Sequence, residues 1–370
     1  MKKHFFTWVF IALCLLPGLG MLVLGPSPLL ANETAPRTPA LNTHFFSDLT
    51  DYIGSHFAFR PYLVSARSFL FERLLKSSAE EQVVLGSDAE LYYTSTMEDY
   101  AGESLPEEDL VRIAQHLREL QDETEARGAA FLFTVAPNKN TLIPERMPRR
   151  IPSSHETSNL EQLKPLLLDY GVHTVDLQEI FTGRPELYYR SDSHWTAEGA
   201  AHAADALLSG LGVNRRFAEG PFAEEGLHVG DLYQMLYPTG RGREAELVYA
   251  PGFTFEHDGD PRGGNAITIR THATADTHSD PRSLRCLRDS FGIALYPYLA
   301  EVFGSAVFSR SQDYSVEAFA AMDEDIVILE IVERNLSLLL PPSEEGSGVS
   351  GAALPLPKGE AALQEKGLTA

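Results

Sequence analysis

Cysteine is nearly absent: Cys14 and Cys286 are the only two in 370 residues. One sits in an N-terminal apolar run and the other just ahead of a serine motif, so no disulfide is expected. A chain this long builds a sufficient core without covalent staples, so their lack leaves an exported location open. Basic residues are also scarce, 30 Lys and Arg against 52 Asp and Glu, a formal net charge of −22. That excludes nucleic acid as a partner, because phosphate binding needs clustered Lys and Arg. It suits a soluble domain facing the outside and says little about substrate. No spaced His/Cys/Asp cluster completes a metal-ligand set, so neither metal nor cofactor is expected. No internal repeat is visible.

What is present begins with one long uncharged stretch. After Met1-Lys2-Lys3, the run Phe5 to Leu24 carries no charge over about 20 residues, enough to span a bilayer. Pro17 and Gly18 interrupt it, which a membrane helix tolerates. We expect residues 1–31 to be an uncleaved anchor with the body outside the cytoplasmic membrane; a signal peptide cleaved after Ala31 is the alternative. Residues 32–44, with Pro36 and Pro39, read as a linker.

The body is expected over 45–340. From Phe45 to Lys76, apolar residues recur at threes and fours with a break at Arg60-Pro61, predicting two amphipathic helices. Val83–Leu85 and Leu91–Tyr93 predict a hairpin. Helices over 107–127, 160–170 and 196–211 then alternate with strands at 131–135 and 172–177. The same alternation resumes with strands at 283–287, near 306–308 and at 326–331, and helices over 293–302 and 316–322. This predicts an α/β fold of three layers, α/β/α, with a central, mostly parallel sheet covered on both faces. Residues 215–280, rich in Gly, Pro, Thr and charge, read as a partly β insertion. Residues 341–370 lack apolar period and read as a disordered tail.

Two motifs carry chemistry. Asp192-Ser193-His194-Trp195 offers a carboxylate and an imidazole two residues apart; Arg288-Asp289-Ser290-Phe291-Gly292 offers a serine between a strand and a helix. Serine is a poor nucleophile without a base and a group to orient that base. His194 suits the base, and Asp192, on the same side of an extended loop, can reach its Nδ1. Thr196 or Trp195 would cap the following helix, with Glu198 in its first turn. Ser290 at the carboxyl end of a parallel strand stands where open α/β sheets build their sites, and the helix start behind it supplies N–H groups for an oxyanion. Gly292 permits a tight turn and close approach. Each motif alone also has a plain reading, a surface loop pair or an N-cap. His173, in a predicted strand, reads as a solvent-facing residue.

At these residues the chain resembles the alginate O-acetyltransferase AlgJ/AlgX-type proteins, including the bacterial proteins named for the DHHW motif. The match is carried by Tyr188 through Thr196 and by Arg288 through Gly292. Phe57–Arg60, Val84–Asp88 with Leu91–Tyr93, Ala136–Thr141 with Pro144-Glu145, Gly230–Leu232 and Val332–Arg334 support it. The resemblance runs over about 33–338 and implies an SGNH-hydrolase-like domain in which the Asp-x-His block precedes the serine. Ala89-Glu90 depart from the family's Gly-Trp, and 215–280 match weakly; neither departure is expected to touch the Asp192–His194–Ser290 set. No alginate-type carbohydrate-binding module is visible, so alginate itself is not implied.

The resemblance implies acetyl transfer to a polysaccharide hydroxyl through an acetyl-Ser290, with His194 as base and Asp192 orienting it. It also implies a membrane-bound O-acyltransferase as acetyl supplier. Gly292, Asn138 and Arg334 are oxyanion or substrate candidates, Asn138 by analogy with the asparagine of SGNH enzymes. Lys139 and Arg334 read first as structural ion-pair partners. An esterase with the same residues, or a catalytically silent glycan-binding component, stays open at this stage.

Overall fold

The computed structural model describes residues 2–30, 33–250, 255–258, 268–274, 280–310 and 312–341. The tail beyond Pro341, the cleavage point at Ala31 and parts of the 215–280 segment lie outside them.

Eleven strands are described: β1 (Val83–Leu85), β2 (Leu91–Tyr93), β3 (Ala130–Ala136), β4 (Thr174–Val175), β5 (Phe222–His228), β6 (Glu244–Tyr249), β7 (Phe255–Asp258), β8 (Thr268–Ala273), β9 (Asp280–Leu287), β10 (Phe303–Ser309) and β11 (Ile326–Val332). The central sheet has the order β4-β3-β11-β9-β10-β8-β7. From β4 to β10 the pairs are parallel; β8 and β7 extend the β10 edge antiparallel.

The central strands β3 and β11 are buried on both faces, as their continuous apolar runs require. In β11, Ile326, Ile328 and Val332 face one core with Leu132 of β3, while Val327, Leu329 and Ile331 face a second core with Phe131 and Phe133. The first face is covered by helices Leu177–Phe181, Ala197–Gly210 and Tyr296–Val302, the second by Glu107–Ala126, Asn159–Asp169 and Val316–Ala320. Local signals explain the starts. Ser158 and Glu161 form a reciprocal capping box, and Thr196 caps the next helix by accepting from Gly199 N–H.

Three expectations need correction. The strand expected over 172–177 is only β4; Asp176 accepts from Glu179 N–H and starts a helix at Leu177, so a capping carboxylate overrides the β-branched run. The helix expected from Ile293 starts at Tyr296, preceded by a 3₁₀ turn at Phe291–Ile293. The 215–280 segment is not wholly an insertion, since β7 and β8 complete the main sheet. Within it, β5 and β6 form a hairpin, and helix Asp231–Leu236 follows β5 directly.

At the N-terminus, Lys2–Leu24 is one helix that continues through Pro17. Its segment His4–Leu24, 21 residues with a mean hydropathy of 2.3 over its 18-residue apolar window, is long and apolar enough to cross a membrane. Helices Phe45–His56 and Arg60–Leu70 follow, broken where expected, with Phe59 in the left-handed region at φ 67°.

Candidate active site

The Asp-x-His residues lie on a tight loop whose arms pair at Tyr188 and Trp195. Tyr189 N–H donates to His194 C=O at 3.2 Å, and Thr196 N–H to Leu187 C=O at 2.8 Å. Three of its carbonyls meet one lysine, and that of Arg190 also accepts from Leu91 N–H at 2.8 Å. Lys139 Nζ, itself buried, donates to Tyr189 O at 2.9 Å, Arg190 O at 3.1 Å and Asp192 O at 2.8 Å. Its ammonium also lies 3.5 Å from the buried Glu90, so the expected ion pair exists alongside the loop contacts. Ala89-Glu90, where the family pattern departs, therefore reach the site through this lysine.

The loop, the β9 end and the 231–236 helix converge. Ser290 Oγ lies 2.9 Å from His194 Nε2, and His194 Nδ1 lies 2.7 Å from Asp192 Oδ1. Asp192 Oδ1 also accepts from His194 N–H at 2.9 Å. Asp192 Oδ2 accepts from His228 Nε2 at 2.9 Å and from Asp231 N–H at 2.9 Å. With a carboxylate acceptor on each nitrogen, the hydrogen is assigned to His194 Nδ1 and His228 Nε2.

His228 and Asp231 escaped the sequence reading and overturn the expectation that 215–280 leaves the set untouched. His228 ends β5, and its ring stacks on Tyr189 with centroids 3.7 Å apart. Asp231 opens the next helix and accepts from Ser193 N–H at 2.8 Å and Ser193 Oγ at 2.5 Å. Gly230 permits the approach: a Cβ there would stand 2.1 Å from Ser191 O. The Gly-Asp-Leu block was the available signal, but nothing in its spacing pointed at Asp192.

Charge follows from this geometry. Burial alone would raise the Asp192 carboxyl; the hydrogen bonds and positive charge of His194 and His228 outweigh it and hold it well below the usual carboxylate range. For His194, burial pulls down but the Asp192 hydrogen bond and charge win, so the imidazole sits above its ordinary value. Arg334 opposes this rise, which brings its charge within reach of the imidazole. Burial, then the charge of Asp192, pushes Asp231 up to about 6.

The remaining candidates divide. Gly292 lies behind Ser290, packed so closely that a Cβ would come within 2.4 Å of the Arg288 Cβ. The turn it belongs to spans only Phe291–Ile293, so the N–H groups there act individually rather than through a helix dipole. Arg334 rests over the Phe291 ring, 5.7 Å from its centroid, and over Tyr93 at 5.5 Å. Phe291 in turn lies 4.7 Å from the His194 ring. Asn138 follows β3 on the same carboxyl edge of the sheet. Its N–H donates to Glu333 at 2.7 Å, while both side-chain amide atoms are buried without a hydrogen-bond partner. An orphaned buried amide is costly unless something visits it. His173 is 62% exposed in its side chain and faces Glu125, away from the site.

Asp192, His194 and Asp231 bring one ligand atom each within 4.8 Å of one another. Distance alone would suit a small cation, but these oxygens already accept the N–H and O–H donors named above, and His194 Nδ1 serves Asp192. The donor set is that of a hydrogen-bonded support for the imidazole.

Comparison with known proteins agrees with the architecture. The family model described as "SGNH hydrolase-like domain, acetyltransferase AlgX" matches residues 83–243. A probable alginate O-acetylase AlgJ of Pseudomonas syringae pv. tomato is 28% identical over 128 residues, covering 34% of this chain and 32% of that protein. The chain thus spans about a third of the length of the curated relatives it matches. Among solved structures, Bacillus cereus PatB1 with a sulfonyl adduct superposes at a TM-score of 0.52 and 15% identity, covering 70% of this chain and 98% of the other. A DHHW family protein from Eubacterium siraeum gives 0.51 and 15%, covering 69% and 91%. The fold is SGNH-like α/β.

Proposed function

Because the chain carries an SGNH hydrolase-like domain of the AlgJ/AlgX acetyltransferase type, we propose that it moves acetyl groups onto hydroxyls of an exported or cell-surface polysaccharide. The observation that carries this reading is the continuous path Ser290 Oγ to His194 Nε2 at 2.9 Å and His194 Nδ1 to Asp192 at 2.7 Å.

In the first half-reaction His194 takes the Ser290 proton as Oγ attacks the acetyl carbonyl. A C–O bond forms, the carbonyl becomes an oxyanion, and the donor's leaving group departs with the proton from His194. In the second, a sugar hydroxyl gives its proton to His194 and attacks acetyl-Ser290, and Ser290 leaves reprotonated. Asp192 fixes the imidazole and stabilises its charged form. The N–H groups of Ser290 and Gly292 and the amide of Asn138 are the oxyanion donors in this reading, and Arg334 adds positive charge beside them. The orphaned Asn138 amide supports its part.

The apolar N-terminal helix supports a body held outside the cytoplasmic membrane, beside a membrane-bound O-acyltransferase that supplies acetyl groups. The domain division this implies is an anchor at 1–31, a linker at 32–44 and a catalytic body at 45–340.

The test is acetylation of purified protein by a chromogenic acetyl ester, followed by mass spectrometry and by transfer to added glycans. The wild type should gain one acetyl group on Ser290 and pass it to sugar faster than to water. Ser290→Ala should lose turnover on the order of 10⁴-fold with its fold intact. Faster transfer to water would make the chain an esterase, and no acetyl-Ser290 with any donor would make it a silent binding component.

A further inference from the structure

The described exposed large apolar side chains are concentrated at one end of the molecule. Beyond residue 75 they are only Leu168, Leu227, Val229 and Ile293, whereas helices Phe45–His56 and Arg60–Leu70 with the turn Phe71–Leu75 carry ten such groups together with Leu41 and Phe59. The pattern in the second helix is one-sided. Val64, Ser65, Ser68 and Phe71 are its less exposed positions; the helix contacts helix Asp231–Leu236, and Ser65 Oγ meets Thr239 Oγ1 at 2.9 Å. Tyr62, Leu63, Phe69, Leu70 and Leu74, which recur at sevens and fours (62/69, 63/70, 70/74), face outward, between 52% and 72% exposed. In the first helix Phe46 and Ile53 do the same. Fully solvated, so large an apolar face on an otherwise polar body marks an interaction surface.

Two further observations identify the occupant. The face continues from the membrane-crossing helix: a Cβ at Gly20 would meet Ala58 Cβ at 2.5 Å, and Ser27 N–H donates to His56 C=O at 2.8 Å. The local charge is also inverted. Within a chain of net charge −22, residues 57–76 hold Arg60, Arg67, Arg73 and Lys76 against the single acid Glu72; Arg60 is ion-paired with Glu33, which leaves Arg67, Arg73 and Lys76 for the lipid phosphates. Basic residues flanking an apolar stripe are what an anionic lipid surface selects.

We infer that the helices of residues 45–75 lie in the membrane interface as a second, peripheral attachment, with their outward apolar side chains among the lipid headgroups and the basic residues at the phosphates. This attachment orients the body. The Arg60–Leu70 helix contacts the helix that begins with Asp231, whose N–H holds Asp192, so the attachment is linked to the Asp192 support through that helix.

The test uses the full chain, with Cys14→Ser, in phosphatidylethanolamine–phosphatidylglycerol vesicles. A fluorophore is placed in turn on Leu70→Cys, Leu74→Cys and, as a control, Leu168→Cys; all three sites are exposed, so the fold tolerates the label. We expect the first two to lose most of their emission to lipid-borne quenchers while Leu168 keeps its own. Replacing phosphatidylglycerol by phosphatidylcholine, or Arg67, Arg73 and Lys76 by Gln, should weaken the quenching. Equal quenching at all three sites overturns the inference. So does a label at Leu70 shielded from both water-borne and lipid-borne quenchers, because the face would then be covered by protein.

Discussion

At the residue scale, Asp192 carries the most. Four N–H donors converge on it, from His194 backbone and ring, His228 and Asp231. That many donors hold it ionised and leave it one orientation, the one that serves His194. Because the His194 value is raised, its neutral, base-competent form is present only at higher pH; kcat/KM should climb with pH with a half-point above the ordinary imidazole value of about 6.5. The linkage runs the other way for stability. A raised imidazole stabilises the fold below its unfolded value and loses that contribution as pH rises through the folded one. His228, raised by Asp192, Glu246 and Glu244 against its burial, is the adjustable partner. His228→Gln keeps a donor for Asp192 but removes a positive charge, so the acid limb of the pH–rate profile should move to higher pH with kcat nearly kept. His228→Phe keeps an aromatic ring beside Tyr189 but loses the N–H, and should lower kcat about 10- to 100-fold with KM little changed. An unaltered pH profile in both variants would remove His228 from the mechanism.

At the element scale, the Asp-x-His loop is held from beneath by a lysine on another segment. Lys139 opens the short helix after β3 and answers three carbonyls that the loop cannot pair internally. Lys139→Met would orphan the Tyr189 and Asp192 carbonyls, while that of Arg190 keeps Leu91 N–H, and would deprive Glu90 of one partner, a loss on the order of 3–5 kcal/mol for breaking a buried ion pair. Thermal unfolding should show it as a large fall in Tm, and proteolysis should open first within 188–195. A wild-type Tm would contradict the role. The elements themselves were largely legible: the alternating helices and strands, the break at Arg60-Pro61, the hairpin and the caps are local signals of period and side-chain chemistry. The misreadings have separate causes. Strand 172–177 was cut short by a carboxylate cap, and the membership of β7 and β8 in the main sheet depends on edge pairing, which local periodicity does not encode.

At the scale of the whole molecule, an apolar N-terminal helix and an apolar face stand apart from one packed body. The hydrophobic core clusters among the described residues begin at Val83, so the N-terminal helix contributes nothing to them. A chain starting at residue 33 should therefore unfold at the same temperature as the full protein and still sediment with phosphatidylglycerol vesicles, releasing as salt screens its basic residues. A large drop in Tm would mean that the helix supports the body. By itself the sequence determined the α/β class, an apolar run long enough to cross a membrane and the three residues that meet as Ser290, His194 and Asp192, because composition, period and the i, i+2 spacing are local properties. Only the tertiary structure decided that Lys139, His228 and Asp231 join them and that the other described residues leave the apolar face of residues 45–75 uncovered. Those facts are set by which distant segments pack together, and no single segment's pattern contains them.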